Sequence, residues 1–458
     1  MSTSTEALKI TVIGTGYVGL TTGAALAYIG HDVTCVDKNP KIVEQLTAGR
    51  ATIHERGLEE LLRRGRERLR FTTELPNLSG DGVVIIAVGT PPKENGEADL
   101  SYVDGAARDV AERIQDGARL VVVNKSTVPI GSARHVEGII RRCLDEQGAD
   151  ADVHVASNPE FLAEGRAIHD TLYPDRIVVG AEDAFAVGML RQMYGPLLEQ
   201  TFEAPEETPR PERYPLPPLI TTTPTSAELT KYAANAFLAT KVSFINEFAG
   251  LAERVGADIT QVSRAIGLDD RIGTRFLQAG AGWGGSCFGK DTNAIMATAS
   301  GYGYDMSIVK AAVDVNRRQR LRIVEKLQDH LKVLRGATVG VLGLSFKGDT
   351  DDIRDAPAIA MIEQMLARGA VVRAHDPVAV PNAKEYHPDL LVTYSDDEIG
   401  AATGCDAVVI ATDWSQYANL PLAELKSVMS GDLLLDARNM LDPRQARQAG
   451  FTYVGVGR

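Results

Sequence analysis

Cys287 stands in Gly280-Ala-Gly-Trp-Gly-Gly-Ser-Cys-Phe-Gly-Lys-Asp291, a stretch whose residue types suit covalent chemistry. A thiol with Lys290 and Asp291 close behind it is a candidate nucleophile, because a neighbouring cation favours the thiolate. The glycines, Gly280 and Gly284 among them, let backbone amides approach a ligand closely. Taken alone, the cysteine reads equally well as a small buried hydrophobe. Glu228-Leu-Thr-Lys231-Tyr-Ala-Ala-Asn235 lies on an expected helix, where a spacing of four puts Lys231 and Asn235 on one face. A cation and an amide so placed can stabilise an oxyanion, although an isolated pair of this kind is more often a solvated face. Lys125-Ser-Thr127-Val-Pro129 and Ser157-Asn-Pro-Glu160-Phe-Leu-Ala-Glu164-Gly each follow an expected strand, where open α/β sheets bind ligands. Glu160 and Glu164 suit a base and a cofactor contact, and acids at a helix N-terminus are also favoured without catalytic duty.

The elements that must position these groups begin with Lys9-Ile-Thr-Val-Ile-Gly-Thr-Gly-Tyr-Val-Gly19, an apolar run flowing into Gly14-x-Gly16-x-x-Gly19 and a helical pattern. The next strand, Asp32-Val-Thr-Cys-Val-Asp37, ends on an acid at the spacing that suits a ribose 2′-hydroxyl. Strand, motif, helix, strand and acid in that order predict a dinucleotide site, and Asp37 repels a 2′-phosphate, so NAD is expected over NADP. Strand-like runs then alternate with helical stretches through Gly82-Val-Val-Ile-Ile-Ala-Val88, Arg119-Leu-Val-Val-Val-Asn124, Val153-His-Val-Ala156 and Arg176-Ile-Val-Val179, which predicts parallel βαβ units. Residues 203–224 carry seven prolines and read as an exposed extended loop. A helical region follows to about residue 334, and Ala337-Thr-Val-Gly-Val-Leu-Gly343 opens a second αβ series without its own Gly-x-Gly-x-x-Gly. The expected fold is α/β: two Rossmann-like doubly wound parallel sheets joined by a central helical domain. The expected divisions are 1–205 for the dinucleotide domain, 206–224 for the Pro-rich loop, 225–334 for the helical, dimerising domain and 335–458 for the second sheet.

At 458 residues the chain exceeds one ordinary core. Its formal net charge of −13 disfavours nucleic acid and anionic membranes as partners, while local cations and helix N-termini still allow an anionic small ligand. No apolar run approaches the roughly 20 residues needed to span a bilayer, and residues 1–7 have no apolar segment like that of a signal peptide. The expectation is a cytoplasmic protein with reduced thiols: of the four cysteines none forms a CxxC pair, and Cys35, Cys143 and Cys405 read as core or bystander. No metal site is expected.

Together, Gly14 to Gly19, Val88-Gly-Thr-Pro91, Lys125-Ser-Thr-Val-Pro, Asn158-Pro-Glu-Phe-Leu-Ala-Glu-Gly165, Lys231 with Asn235, Gly284-Gly-Ser-Cys-Phe-Gly-Lys-Asp291 and Ser345-Phe-Lys-Gly-Asp349 resemble the nucleotide-sugar 6-dehydrogenases almost end to end. The resemblance is strongest to the branch acting on UDP-glucose, with the GDP-mannose branch as runner-up. It implies two hydride transfers from C6 of the sugar to NAD, giving the uronate. It further implies Cys287 as nucleophile, Lys231 and Asn235 as oxyanion stabilisers, and Glu160 as acid/base, with Thr127 and Asp291 ordering the hydrolytic water. Cofactor contacts fall on Gly14, Gly16, Tyr17, Val18, Gly19, Asp37, Thr90, Thr127, Glu164, Lys290 and Arg354. Substrate contacts fall on Glu160, Phe161, Leu162, Lys231, Asn235, Gly280, Gly284, Phe346, Lys347 and Arg438, and on Arg271, which matches an arginine reaching a neighbouring subunit and so implies a homodimer or higher homo-oligomer. Two departures stand out. The Pro-rich segment is longer than the family's usual link, and Glu55-Arg56-Gly57 replaces a more usual proline before the glycine. A single-step hydroxyacid dehydrogenase would use Lys231 and Asn235 without Cys287, and a silent sugar-nucleotide sensor could lose the thiol without penalty.

Overall fold

The computed structural model describes residues 6–458, so residues 1–5 of the leader lie outside the described chain. The chain folds as two compact units, one ending at Ala233 and one beginning at Ala234. The boundary falls inside the 32-residue helix Pro224–Val255.

In the first unit, eight strands form one sheet: β1 (Lys9–Ile13), β2 (Asp32–Val36), β3 (Leu69–Thr72), β4 (Asp81–Ile86), β5 (Arg119–Asn124), β6 (Asp152–Ser157), β7 (Ile177–Gly180) and β8 (Leu219–Thr222). Their order is β3-β2-β1-β4-β5-β6-β7-β8, with a switch point between β1 and β4. The central strands are apolar on both faces. Val83 and Ile85 join one core and Val84 and Ile86 the other, because successive side chains point to opposite faces and helices cover both.

Two features depart from the sequence reading. β7 meets β6 antiparallel, at the single pair Ser157↔Gly180, and β8 then pairs parallel with β7. The chain leaving β6 turns back at the sheet's carboxyl edge, where the Asn158 side chain donates to Val178 O at 2.7 Å. The segment 203–224, expected as an exposed loop unable to pair, supplies β8. Its prolines lie beside the strand instead of within it: Pro218 O accepts from Ile177 N, and Pro224 opens the long helix, where no N–H is needed. The start of the segment is also tied down, since the buried Glu60 carboxylate accepts from the Glu206 and Glu207 amides at 3.0 and 2.9 Å.

In the second unit, six parallel strands run in the order β11-β10-β9-β12-β13-β14. They are β9 (Thr338–Leu342), β10 (Val371–His375), β11 (Val392–Tyr394), β12 (Ala407–Ile410), β13 (Leu433–Asp436) and β14 (Thr452–Gly455). One face of this sheet shares a continuous core with the helices before it. Ile245, Ala249, Ile259, Ile323 and Leu327 pack into the same cluster as Val339, Val341 and Val409. Among the described residues no helix is long and apolar enough to cross a membrane.

Candidate active site

In the first unit the glycine turn follows β1, and its three glycines have three different reasons. Gly14 has φ +97°, and a Cβ there would sit 2.7 Å from Ala87 O. Gly19 is pressed against the Gly14 carbonyl, whereas a Cβ on Gly16 would meet nothing within 4 Å. Only Gly16 therefore faces open space, and it is the N-cap of helix Tyr17–Tyr28 with no side chain on the helix's first amides. An open, uncapped helix N-terminus fits a pyrophosphate. Val18 is half-buried on that helix. Asp37, one residue past β2, accepts from Thr15 N and Thr15 Oγ1 at 3.1 and 2.6 Å and from Asn39 N at 2.9 Å. The acid thus shapes the turn.

Tyr17 donates its hydroxyl to Glu55, and the same hydroxyl accepts from Gly165 N at 2.7 Å. Glu55 also accepts from Gly165 N at 2.8 Å. Burial pushes the Tyr17 phenol well up, with the Glu55 charge and hydrogen bond adding to it and Glu164 contributing further. Burial likewise raises Glu55. The departure at residues 55–57 thereby acquires a physical sense: a buried carboxylate joins the glycine turn to the loop that carries Glu160 and Glu164. The sequence offered no periodic signal for it.

Beyond β5 and β6 lies a cluster of buried charge. Glu160 and Lys231 form an ion pair at 2.7 Å with side chains 7% and 4% exposed. Burial alone would raise the Glu160 carboxyl. The Lys231 charge and hydrogen bond, the Leu162 amide at 2.7 Å and the Lys125 charge outweigh it and hold the group below the ordinary carboxylate range. Lys125, buried at the mouth of β5, donates to Asn158 Oδ1 at 3.0 Å and Tyr194 OH at 3.3 Å. Burial drives its pKa down to about 8, Glu160 opposing and Lys231 assisting. Phe161 lies under the Arg176 guanidinium at 3.8 Å, with the Lys231 ammonium 5.7 Å from the ring centroid. Thr90 is buried and donates to Thr127 O at 2.9 Å, joining the two loops in which they stand. Glu228, one turn before Lys231, accepts from Gly131 N, Ala133 N and Ser157 Oγ at 2.7 to 2.9 Å. It anchors the helix to the Lys125–Pro129 loop.

In the second unit Cys287 is the N-cap of helix Phe288–Gly301, half-buried, with Sγ 3.5 Å from Ser286 Oγ. A thiolate there meets the positive end of the helix dipole. Cys35 and Cys405 are fully buried, and burial pushes their thiols up to about 12 and about 11. Asp291, one turn into the helix and buried, accepts from Asn235 Nδ2 and from Lys290 Nζ, each at 2.6 Å. Asn235 of the long helix is thereby tied to the short stretch that carries Cys287, Lys290 and Asp291.

The glycines of the preceding loop lie in close contact with protein. A Cβ on Gly280 would lie 2.7 Å from Ala437 O, one on Gly285, at φ +85°, would lie 2.8 Å from the Phe346 ring, and Gly284 abuts Asp355 O. Protein packs closely on each of these positions, so none has room for a Cβ. Buried polar side chains hold the loop: Asn246 Oδ1 accepts from Gly280 N, Asn316 brackets Trp283 through both its amide atoms, and Gln319 donates to Gly280 O. Sequence reading missed all three. Arg438 donates to Ala411 O and Phe346 O at 2.7 and 2.8 Å, and the Lys347 ammonium lies 5.7 Å from the Phe346 centroid. Two cations therefore stand at the carboxyl edge of the second sheet. Arg354 makes a bidentate pair with Asp352, and its carbonyl accepts from Gly285 N. Arg271 stands apart, on the surface and clamped to Asp269.

The chain matches the three domains of the UDP-glucose/GDP-mannose dehydrogenase family in order: the NAD-binding domain over residues 8–198, the central domain over 225–318 and the UDP-binding domain over 340–443. A UDP-glucose 6-dehydrogenase of Bacillus subtilis is 43% identical over 98% of both chains. The structure of a UDP-glucose dehydrogenase from the archaeon Pyrobaculum islandicum superposes with a TM-score of 0.86 at 39% identity, covering 100% of this chain and 99% of that one. A GDP-mannose dehydrogenase from Pseudomonas aeruginosa gives 0.51 at 29% identity, covering 98% and 99%. With a glycine turn that fits NAD, a half-buried thiol at a helix N-terminus and all three domain matches in register, the chain belongs to the UDP-glucose/GDP-mannose dehydrogenase family.

Proposed function

We propose that this protein oxidises C6 of UDP-glucose to the carboxylate of UDP-glucuronate, in the cytoplasm, through a thioester on Cys287. The observation that carries the reading is the placement of that thiol at a helix N-terminus beside Ser286, with Asp291 and Asn235 hydrogen-bonded within the next turn. NAD, when bound, accepts hydride, and two such transfers take an alcohol to the carboxylate level. The chain's own residues do the rest. Glu160, held anionic, takes the proton of the C6 hydroxyl directly or through water. The Cys287 thiolate adds to the resulting aldehyde carbon, so the aldehyde never escapes, and the new alkoxide is stabilised by the Lys231 ammonium and the Asn235 amide. Loss of the second hydride leaves the thioester. Water ordered by Thr127 and Asp291 gives a proton to Glu160 as it adds to the thioester carbonyl, and the C–S bond breaks to release the uronate and the Cys287 thiolate.

Residues 1–205 hold the cofactor, with Gly16, Tyr17, Val18, Asp37, Thr90 and Glu164 lining it. Residues 335–458 hold the diphosphate through Lys347 and Arg438, and residues 225–334 make the dimer. An exposed apolar stripe on the long helix, Phe237 and, seven residues on, Phe244, Phe248, Leu251 and Val255 at steps of four, three and four, suits a second copy. In that dimer the exposed Arg271 reaches the neighbouring site. The GDP-mannose alternative is disfavoured by the weaker structural match and by Thr412-Asp-Trp-Ser-Gln-Tyr417, which resembles the UDP-glucose branch.

The test is the NADH yield across UDP- and GDP-sugars. UDP-glucose should give two NADH per sugar, and Cys287→Ser should stall after a burst with the sugar retained as added mass, since an ester resists the hydrolysis that a thioester permits. One NADH per sugar, or a Cys287→Ala enzyme that still makes the uronate at near the wild-type rate, rules the thioester route out.

A further inference from the structure

Asn124 closes β5 with 2% of its surface exposed, and neither Oδ1 nor Nδ2 of its side chain meets a protein partner. Its backbone is conventional, the carbonyl accepting from Asn158 N at 2.9 Å. Buried amides are seldom left so, because the desolvation of each polar end goes unrecovered. The side chain lines a cavity of about 10 Å³ together with Ser126, Thr127, Ser157, Glu228 and Lys231. That volume is close to one water molecule, and the lining is polar enough to hold it. A purely structural asparagine would have been satisfied by backbone, as Asn158 is by Val178 O.

We propose that this cavity is a water site, that one water bridges Asn124 to the Lys231 ammonium and the Glu228 carboxylate, and that Asn124 thereby acts as a positioning residue for Lys231. The inference deepens the proposed function, on whose reading of Lys231 as the oxyanion-stabilising cation it rests. Lys231 is faced by Glu160 from the loop after β6 and by Lys125 from the mouth of β5 with Tyr194 beside it, and Glu228 of its own helix lines the same cavity. Glu160 favours the ammonium and Lys125 disfavours it, while the Glu228 carboxylate is held by the Gly131 and Ala133 amides and the Ser157 hydroxyl. A water in this cavity adds solvation to the buried cation. Its loss disfavours the charged form, so Lys231 would surrender its proton at lower pH.

Asn124→Val fills the place of the amide without a polar atom, and Asn124→Ser keeps an anchor for the water. Steady-state rates of the full-length enzyme are followed from neutral to alkaline pH. For Asn124→Val the descending alkaline limb of kcat should move down by about one unit, a fraction of what full desolvation of a lysine produces. KM for UDP-glucose and for NAD should stay within about twofold, because uniform binding is untouched. Asn124→Ser should return the limb toward wild type, which a loss of packing alone would not do. A crystal structure of the wild-type protein should show one ordered water in hydrogen-bond reach of Asn124. An unmoved alkaline limb in Asn124→Val overturns the proposal, and so does wild-type density with the cavity dry, which decides the matter even if Asn124→Val fails to fold. A wild-type enzyme that releases no NADH from UDP-glucose sinks the functional reading instead, and the crystallographic arm still judges the water site.

Discussion

Replacing Glu160 by Gln should cost the first unit about 3–4 kcal/mol of unfolding free energy near neutral pH, and the cost should shrink as pH rises. The pair with Lys231 is 2.7 Å long and both side chains are more than nine-tenths buried. Removing one member of such a pair typically costs about 3–5 kcal/mol, because the partner charge is left buried. The variant has one escape, which is to fold with Lys231 neutral. For a lysine of ordinary pKa that costs about 4 kcal/mol at pH 7.5 and only about 1 kcal/mol at pH 9.5, at 1.36 kcal/mol per unit. That ceiling sets both the magnitude and the sign of the pH dependence. On the acid side the wild type behaves differently: Glu160 has a folded pKa below its unfolded one, so its stabilisation is present above the unfolded value and disappears as pH falls through the folded value. Urea unfolding of wild type, Glu160→Gln, Lys231→Met and the double variant, followed by far-ultraviolet circular dichroism at both pH values, gives the pair's coupling energy directly. A loss under about 1 kcal/mol near neutrality, or a loss that grows with pH, refutes the reasoning.

Gly16→Ala should fold like wild type, having nothing within 4 Å to strike, yet bind NAD at least about tenfold more weakly where the pyrophosphate must approach; unchanged affinity by calorimetry would remove the glycine turn from the cofactor site. Gly14→Ala, with φ +97° and a carbonyl 2.7 Å from the new methyl, should instead lose several degrees of Tm even without ligand. Asp37→Asn should narrow the preference for NAD over NADP about tenfold or more by relieving repulsion of a 2′-phosphate, and it should also lower kcat/KM with NAD, because the same oxygen holds Thr15; selectivity unchanged from wild type would refute the assignment. Phe248→Asp should convert a sedimenting dimer to monomer, and a wild-type protein already monomeric at assay concentration would dismiss the stripe as an interface.

What the sequence disclosed was whatever depends on local pattern. Strands such as Val83–Ile86 are apolar on both faces and cannot be mistaken, and the glycine turn is legible because strand, turn, helix and acid occur within 30 residues. β8 was hidden because prolines on either side of four residues mask a strand whose own amides are free to pair. Glu55, Glu228 and Asn316 were invisible for another reason: their partners lie 33 to 110 residues away, and no spacing rule reports which buried acid or amide will meet which backbone group. The glycines of residues 280–285 announce close approach, and the protein atoms that pack on Gly280, Gly284 and Gly285 lie too far along the chain for spacing to name them.

The buried charges themselves argue that function, not stability, selected them. Lys125, Lys231, Glu160, Glu228 and Asp291 are all at least nine-tenths buried, and well-packed hydrophobic residues in place of such groups are often neutral or stabilising. A chain that only needed to fold would lose little by replacing them. They are kept where each has a partner: Lys231 on Glu160, Lys125 on Asn158, Asp291 on Asn235 and Lys290, Glu228 on a loop turn. Each satisfied pair holds a donor or acceptor in fixed orientation in a medium of low dielectric, where it needs no reorganisation when charge develops on a substrate oxygen. Asn124, whose amide lies beside Glu228 and Lys231 in the first unit with no protein partner, would be satisfied in the same way by its water.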